Sequence, residues 1–580
     1  MSRQKLYYVF IISAFVLTIC IPTYFYLYRN EEFIISIPFA KFPEDDHISW
    51  KSRLEHYPVT SMAPLPTELA IKIPKIQHEF EYESIYEQQE RESRQEAVRD
   101  NFFRIWESYK HKIGIDDDDL KTFKIDLPGE DWADTLIESL DALLIMDFQS
   151  EFDYAIEFLY RVDFSKTKTE EIDILMVTAR HLGGLLAAYD LTDGRHPVLL
   201  EKALELGNMV YAAFDTPDRM PILNWRWKLS KYAKHQTTHG VFDPAMASMS
   251  LEFTRLSQLS ADPKYFDAMR VVVDRLDKEQ SKSKLPGLWP AGKHLNLFTL
   301  DASTNSMIYC LQKQYIVLGG IIDQYRGMYE RAIHIAEKYL FFNSMNPKNY
   351  DLLFSGTLRV EGDDGIFEPD IQSSTCSVGG MLAIGARIFN RSDDLVMASK
   401  LVNGCIWAHS SIQSGIMPES FRVVDCNRTR PCSWDEKRWH ASIAQQDSTN
   451  SLDRNEKYST KKAKELHLPD GFTNISDRRY LLRPHTIESI FTLYRVTGDS
   501  SLPDAAWKIF QALYEHTFTP TGNAALSDVT ILPPPQTEEV NTIEMIQIMK
   551  YLYLIFSDPR AMHLDKWVFN SKGHAFKRRL

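Results

Sequence analysis

Cysteine is scarce in this chain, with six in 580 residues, and no CxxC pair or zinc-like spacing occurs. Positive charge is also short. Lys and Arg total 66 against 79 Asp and Glu, a net charge of −13, which disfavours a nucleic-acid partner because phosphate neutralisation needs clustered cations. The C-terminal run Lys572, Lys577, Arg578, Arg579 is basic but brief and reads as a solvated tail. Exact internal repeats and βαβ alternation are both missing, which disfavours a repeat array and a parallel sheet. What remains is ordinary globular material, 44% hydrophobic and 25% charged.

One uncharged run stands out. Leu6 to Tyr28 spans 23 positions without a charge, enough at about 1.5 Å per residue to cross a hydrocarbon core of about 30 Å. Arg3 and Lys5 precede it, and Tyr and Phe crowd its ends as an aromatic belt does. A cleaved signal peptide is the competing reading, but the run is long for one and bulky residues follow it. The expectation is an uncleaved signal anchor in residues 1–29, giving a single-pass type II membrane protein with a lumenal body. Five cysteines beyond Cys20 (Cys310, Cys376, Cys405, Cys426 and Cys432) and sequons at Asn390, Asn427 and Asn474 agree with that compartment. An odd number of cysteines leaves at least one thiol unpaired.

Residues 30–92 are Pro-punctuated and charged and read as a stem. From 93 to 580 the apolar spacing is helical almost throughout, beginning with Val98, Phe102, Ile105, Trp106 and Tyr109. About a dozen such runs are separated by stop signals such as Gly319-Gly320 and Thr497-Gly498-Asp499. This pattern predicts an all-α ring of paired helices, with short extended pieces near 358–360 and 421–424. A ring of that kind does not name a function.

Several blocks are more specific: RHLGGLLAAYDL at 180–191, LEFTRLSQLSADPKYFDA at 251–268, LPGLWP at 285–290, GIMPES at 415–420, DRRYLLRPHTIESIFTLYRVTGD at 477–499 and KYLYLIFSDP at 550–559. Their content and order resemble the class I α-1,2-mannosidases, glycoside hydrolase family 47. The resemblance covers about residues 93–575. It implies an (α/α)7 barrel whose pocket trims α-1,2-linked mannose from N-glycans with inversion, using calcium. It also implies a disulfide between Cys376 and Cys405. Cys426 and Cys432 bracket a short loop, where a second bridge and two free thiols are equally open; with both bridges made, Cys310 is the free thiol.

The same resemblance locates the pocket, and there the chain departs from it. The family's general acid lies in Phe-Glu-x-x-Ile-Arg-x-Leu-Gly-Gly, and the Glu position holds Met176, whose thioether donates no proton. A second carboxylate position holds Asn305, which hydrogen-bonds but is no base; the family's Glu four residues on is Tyr309. The third, in Arg-Pro-Glu-x-x-Glu-Ser, holds His485, which titrates near neutrality. Arg180, Glu419, Arg483 and Glu488 are kept and are the expected substrate-binding residues. Glu171 and Asp173 are acidic neighbours, and Asp173, one turn before Met176, is a conceivable shifted acid, but solvated charges near a helix N-terminus are the plainer reading. At the calcium end the family's Thr is Ser571, beside Lys572, and a nearby Glu is Gln547, so weak or absent calcium is expected.

Glycoside hydrolysis normally needs two carboxyl groups, one giving a proton and one activating water or attacking carbon. The leading expectation is therefore a membrane-anchored pseudo-mannosidase of the endoplasmic reticulum or Golgi lumen, which binds glycan or glycoprotein or scaffolds an active relative. Two alternatives stand beside it. One is an enzyme whose altered pocket turns over a less polar small molecule through His485, Asn305 and Tyr309. The other is a slow α-1,2-mannosidase with Asp173 as acid.

Overall fold

A helix that is apolar on every side needs cover on every side, whereas an amphipathic one needs a single apolar wall. The computed structural model describes residues 49–112, 132–230, 242–292, 294–362, 364–426, 432–446, 456–540 and 542–578. The expected anchor, Leu6–Tyr28, and the sequon at Asn427 lie outside the described residues.

Fourteen helices form the body. They are α1 (Ile85–Lys112), α2 (Asp134–Ile145), α3 (Gln149–Leu159), α4 (Gly183–Leu191), α5 (Pro197–Ala212), α6 (Ser250–Ser260), α7 (Lys264–Lys282), α8 (Ala302–Val317), α9 (Asp323–Tyr339), α10 (Ser377–Ile388), α11 (Ser392–Ser411), α12 (His485–Thr497), α13 (Ser501–Thr517) and α14 (Thr542–Ile555). The even-numbered helices contact one another in sequence, and α14 returns to α2, closing an inner ring of seven. Each odd-numbered helix packs behind an inner one, α1 behind α14. Burial follows position. In α12 every residue from Thr486 to Val496 is buried, while α7 buries a stripe of Tyr265, Phe266, Met269, Val272, Val273 and Leu276. The expected (α/α)7 barrel is thus present. The sequence reading omitted two further helices, Glu436–Gln445 and Glu456–Glu465, which lie in the insertion between α11 and α12.

Close approaches explain the Gly-Gly of the RHLGG block. A Cβ on Gly183 would meet the Asn570 amide at 2.6 Å, and one on Gly184 would meet the Ile137 carbonyl at 2.6 Å. The helix leading into α4 widens into one π turn over Thr178–Leu182; such turns are frequent at functional sites. Within it His181 Nε2 bonds Asp134 at the start of α2, at 2.6 Å.

A C-terminal hairpin, Trp567–Phe569 paired with Ala575–Lys577, enters the ring. Phe569 packs on Phe491 and Tyr551, and the tip 570–574 reaches the inner helices. Lys572, Lys577 and Arg578 are therefore not a solvated tail: they pair with Glu544, Asp193 and Asp565. Read as sequence, this run looked like a tail because its partners are distant in the chain.

From Trp50 onward the segment expected to be a free stem is a strap laid on the barrel. Trp50 donates to the Phe164 carbonyl, the backbone N–H groups of His56 and Tyr57 donate to Asp215, that of Ala63 to Asp267, and that of Ile76 to Asp565. An aperiodic strand of this kind satisfies its backbone with carboxylates of the ring, so it carries no pattern to read. The first helix starts at Ile85, inside the span assigned to the stem.

Cys376 and Cys405 form a disulfide joining the start of α10 to α11, and Cys426 pairs with Cys432; Cys310 is free and buried. A bridge 29 residues apart contributes about 3–4 kcal/mol in the chain-entropy picture. Asn390 is exposed in the turn between α10 and α11, and Asn474 is half-buried on the strand Phe472–Asp477.

Candidate functional site

Inner helices of a closed ring point one face at the barrel axis, and any charged side chain there must find a partner away from water. The axis holds a cavity lined by Ser248 and Leu251 before and within α6, Glu252, then Asn305, Tyr309 and Lys313 of α8, Ser377 of α10, His485 and Glu488 of α12, and Asn570 and Ser571 of the hairpin tip. Its free space is small. Room for water-sized molecules amounts to about 20 Å³, roughly what one water requires. A hexose ring does not enter that space unless side chains move aside.

Asn305 sits in the first turn of α8, which Asp301 caps through the Thr304 N–H. Its amide donates to Ser377 Oγ, and its carbonyl oxygen has no partner. Glu252 accepts from Asn570 Nδ2 at 2.8 Å, while its second oxygen is likewise unpartnered. Burial pushes the Glu252 carboxyl up to about 7. Lys313 lies 3.8 Å from Glu488 and 3.4 Å from the centre of the Tyr309 ring. Burial lowers the Lys313 pKa and raises that of Glu488. The aromatic face is thus a neutral partner for an ammonium group, an arrangement that gains strength when desolvated.

His485 begins α12. Burial, with help from the positive charges of Lys572 and Arg483, lowers its imidazole to about 4, so it is neutral at physiological pH. Beside this cavity a second cluster joins three elements. Glu544 of α14 takes Arg180 at 2.5 Å and Lys572 at 3.3 Å. Burial opposes ionisation of Glu544, but Lys572 and Arg180 outweigh it and hold its pKa below the ordinary value.

Deeper on the axis lies a fully buried network. Lys550 of α14 bonds both oxygens of Asp141 at 2.7 and 2.8 Å, and His574 of the hairpin tip meets Asp141 at 3.0 Å and Glu138 at 3.4 Å. Burial alone would depress His574; Asp141 and Glu138 reverse that and raise it.

The sequence profile of glycosyl hydrolase family 47 matches residues 101–578. The chain belongs to glycosyl hydrolase family 47. It is 28% identical over 497 residues to the human endoplasmic reticulum mannosyl-oligosaccharide 1,2-alpha-mannosidase, covering 83% of this chain and 63% of that protein. It therefore spans less than two thirds of that relative's length. Against mannosyl-oligosaccharide 1,2-alpha-mannosidase MNS3 of Arabidopsis thaliana it is 28% identical over 528 residues, covering 83% of this chain and 78% of that protein. Among solved structures, the alpha-1,2-mannosidase from Trichoderma reesei superposes with a TM-score of 0.68 at 22% identity, covering 84% of this chain and 99% of that one. That likeness establishes the fold.

Of the residues expected at the site of this family 47 chain, Asn305, His485, Glu488 and Ser571 line the cavity. Met176 does not; its side chain stands 37% exposed. Asp173 is the cap of the short helix Ile174–Val177, accepting the Met176 N–H at 3.0 Å, and it is not a cavity residue. Glu419 and Arg483 pair with each other at 3.2 Å, and Glu419 also accepts from Ser373 and the Leu481 N–H, so this carboxylate staples loops together. Arg180 turns to Glu544. Sequence reading missed Glu252, Lys313 and Glu544. Their one signal is a lone charge inside an apolar helical run, which looks the same as a solvated face.

The cavity's two perturbed groups predict opposite pH slopes. Between about pH 4.5 and 7, folded Glu252 holds a proton that the unfolded chain has released, so its contribution to stability falls as pH rises. Between about pH 6.5 and 4 the unfolded chain takes up a proton that folded His485 refuses, so that contribution falls as pH drops. Relative to wild type, Glu252→Gln is expected to make stability rise more steeply with pH across this range. His485→Asn is expected to flatten that rise. Denaturation midpoints measured from pH 4 to 7.5 check both signs.

Proposed function

We propose that this chain is a non-hydrolysing member of family 47, acting as a binding or scaffolding body for glycans or glycoproteins in the lumen of the secretory pathway, with Leu6–Tyr28 as its membrane anchor. One observation carries the reading. At the three positions matching the family's pocket carboxylates stand an exposed methionine outside the cavity and, on a cavity with room for about one water, a buried amide and a neutral imidazole. General acid or base groups contribute about 10²–10⁴-fold each, so loss of the pair leaves little catalysis. The name of the human relative, which specifies the endoplasmic reticulum, supports a secretory-pathway compartment.

The test is direct. Purified full-length chain at stoichiometric amounts is expected to release no mannose from Man9 oligosaccharide over a day, while a family relative assayed in parallel does. Clear turnover overturns the proposal. A second reading, a repurposed enzyme, has one observation in its favour: Glu252, with a carboxyl near pKa 7 and one free oxygen, borders the same cavity as His485. Turnover of any small molecule that Glu252→Gln abolishes would promote it.

A further inference from the structure

Family 47 members generally depend on calcium, and the resemblance puts the metal at the hairpin tip, on Ser571. The residues around Ser571 do not fit that ion. Calcium takes six to eight oxygen ligands, drawn from carboxylates, carbonyls and waters, and is repelled by a neighbouring cation. Here the Ser571 carbonyl already accepts a hydrogen bond from the Gln547 side-chain amide, at 3.2 Å. The next residue, Lys572, brings an ammonium group whose Nζ lies 3.3 Å from Glu544, a neighbouring carboxylate. Among the described residues no group of three or more His, Cys, Asp or Glu side chains is arranged to hold a metal.

The tip is nonetheless tied at several points by the chain's own atoms. Asn570 Oδ1 accepts from the backbone of Lys572 and His574, and Asn570 Nδ2 donates to the Ala179 carbonyl and to Glu252. His574 is fixed by Asp141. The remaining link is ionic. Lys572 and Arg180 share Oε1 of Glu544, so one carboxylate joins the tip, α14 and the π turn before α4. The side chains of Lys572 and Glu544 are only 16% and 9% exposed, so solvent screens the pair weakly.

We propose that Lys572 is a built-in cation standing in for calcium: its ammonium, tethered by the chain and neutralised by Glu544, holds the hairpin tip that the metal holds in the family, and the chain folds and functions without calcium. This inference rests on family membership and stands apart from the catalytic reading, since it concerns the tip's stability.

Thermal melting of the full chain in chelator and in millimolar calcium tests it. Wild type is expected to melt at one temperature in both buffers. Lys572→Ala is expected to melt several degrees lower in chelator; a calcium-induced recovery seen only in the variant would show the metal taking the vacated position. A clear calcium upshift of wild type overturns the proposal, and so does a Lys572→Ala variant that melts with wild type. Should the variant not fold, calorimetric titration of wild type with calcium decides: no saturable heat is expected, and saturable binding at the millimolar level or tighter overturns it.

Discussion

Lys550→Met is expected to destabilise the chain by about 3–5 kcal/mol, the cost of stranding a buried charge. Lys550 and Asp141 are both wholly inaccessible, and the ammonium bonds both carboxylate oxygens. Removing it leaves Asp141 with His574 as its one remaining cation in the network. The double variant Lys550→Met, Asp141→Leu removes both charges and is expected to recover most of the loss, because the desolvation cost of the pair goes with it. A double-mutant cycle by urea denaturation measures the difference. The single variant also acquires a pH signature. His574 has a raised pKa, so its contribution is complete below about pH 6.5 and is lost as pH rises through the folded value. With Lys550 gone, Asp141 depends on that proton, and stability is expected to fall more steeply above neutrality.

That network shows what a sequence discloses and what it withholds. The period of 3.6 in runs such as that of α7 is a local property, and it located the ring helices. The ring itself requires helices buried on every side, such as α12, and the sequence of α12 hides that burial because it carries Glu488, Thr492 and Arg495. Lys550 sits in Met549-Lys550-Tyr551-Leu552-Tyr553, where a lone lysine reads as a snorkelling surface residue. Its partner is 409 positions away, and no local pattern encodes such a distance. The strap from Trp50 to Glu83 is hidden for the same reason: its backbone partners Asp215, Asp267 and Asp565 lie far along the chain. At the pocket the resemblance marked which carboxylates are gone. It did not mark the rewiring, in which Tyr309 offers a ring to Lys313 and Glu544 gathers Arg180 and Lys572.

The rewiring makes the three replaced positions unequal, and restoring their acids one at a time is expected to expose this. Met176→Glu changes a residue already 37% exposed, so its effect on stability should stay within about 0.5 kcal/mol. His485→Glu places a carboxylate beside the Lys572 and Arg483 charges that now depress the imidazole, and it should be tolerated. Asn305→Asp is the costly one, at about 3–5 kcal/mol at neutral pH. Asn305 is 2% exposed, and its amide donates to a Ser377 hydroxyl whose own hydrogen goes to the Ser374 carbonyl. An aspartate supplies no donor there, so oxygen faces oxygen. Two carboxyls with raised pKa values, Glu252 and Glu488, border the same cavity, and Lys313 is already shared between Glu488 and Tyr309. The new carboxyl is therefore expected to stay protonated well above its ordinary range. Its cost grows as pH rises from about 4 and largely disappears below that. Urea denaturation of Asn305→Asp at pH 4 and pH 7 measures this; equal penalties at the two pH values would mean that charge is not the cause. If the penalty appears as argued, the barrel's own stability opposes a return to the family's acid pair, because the interior is now balanced around a neutral residue at 305.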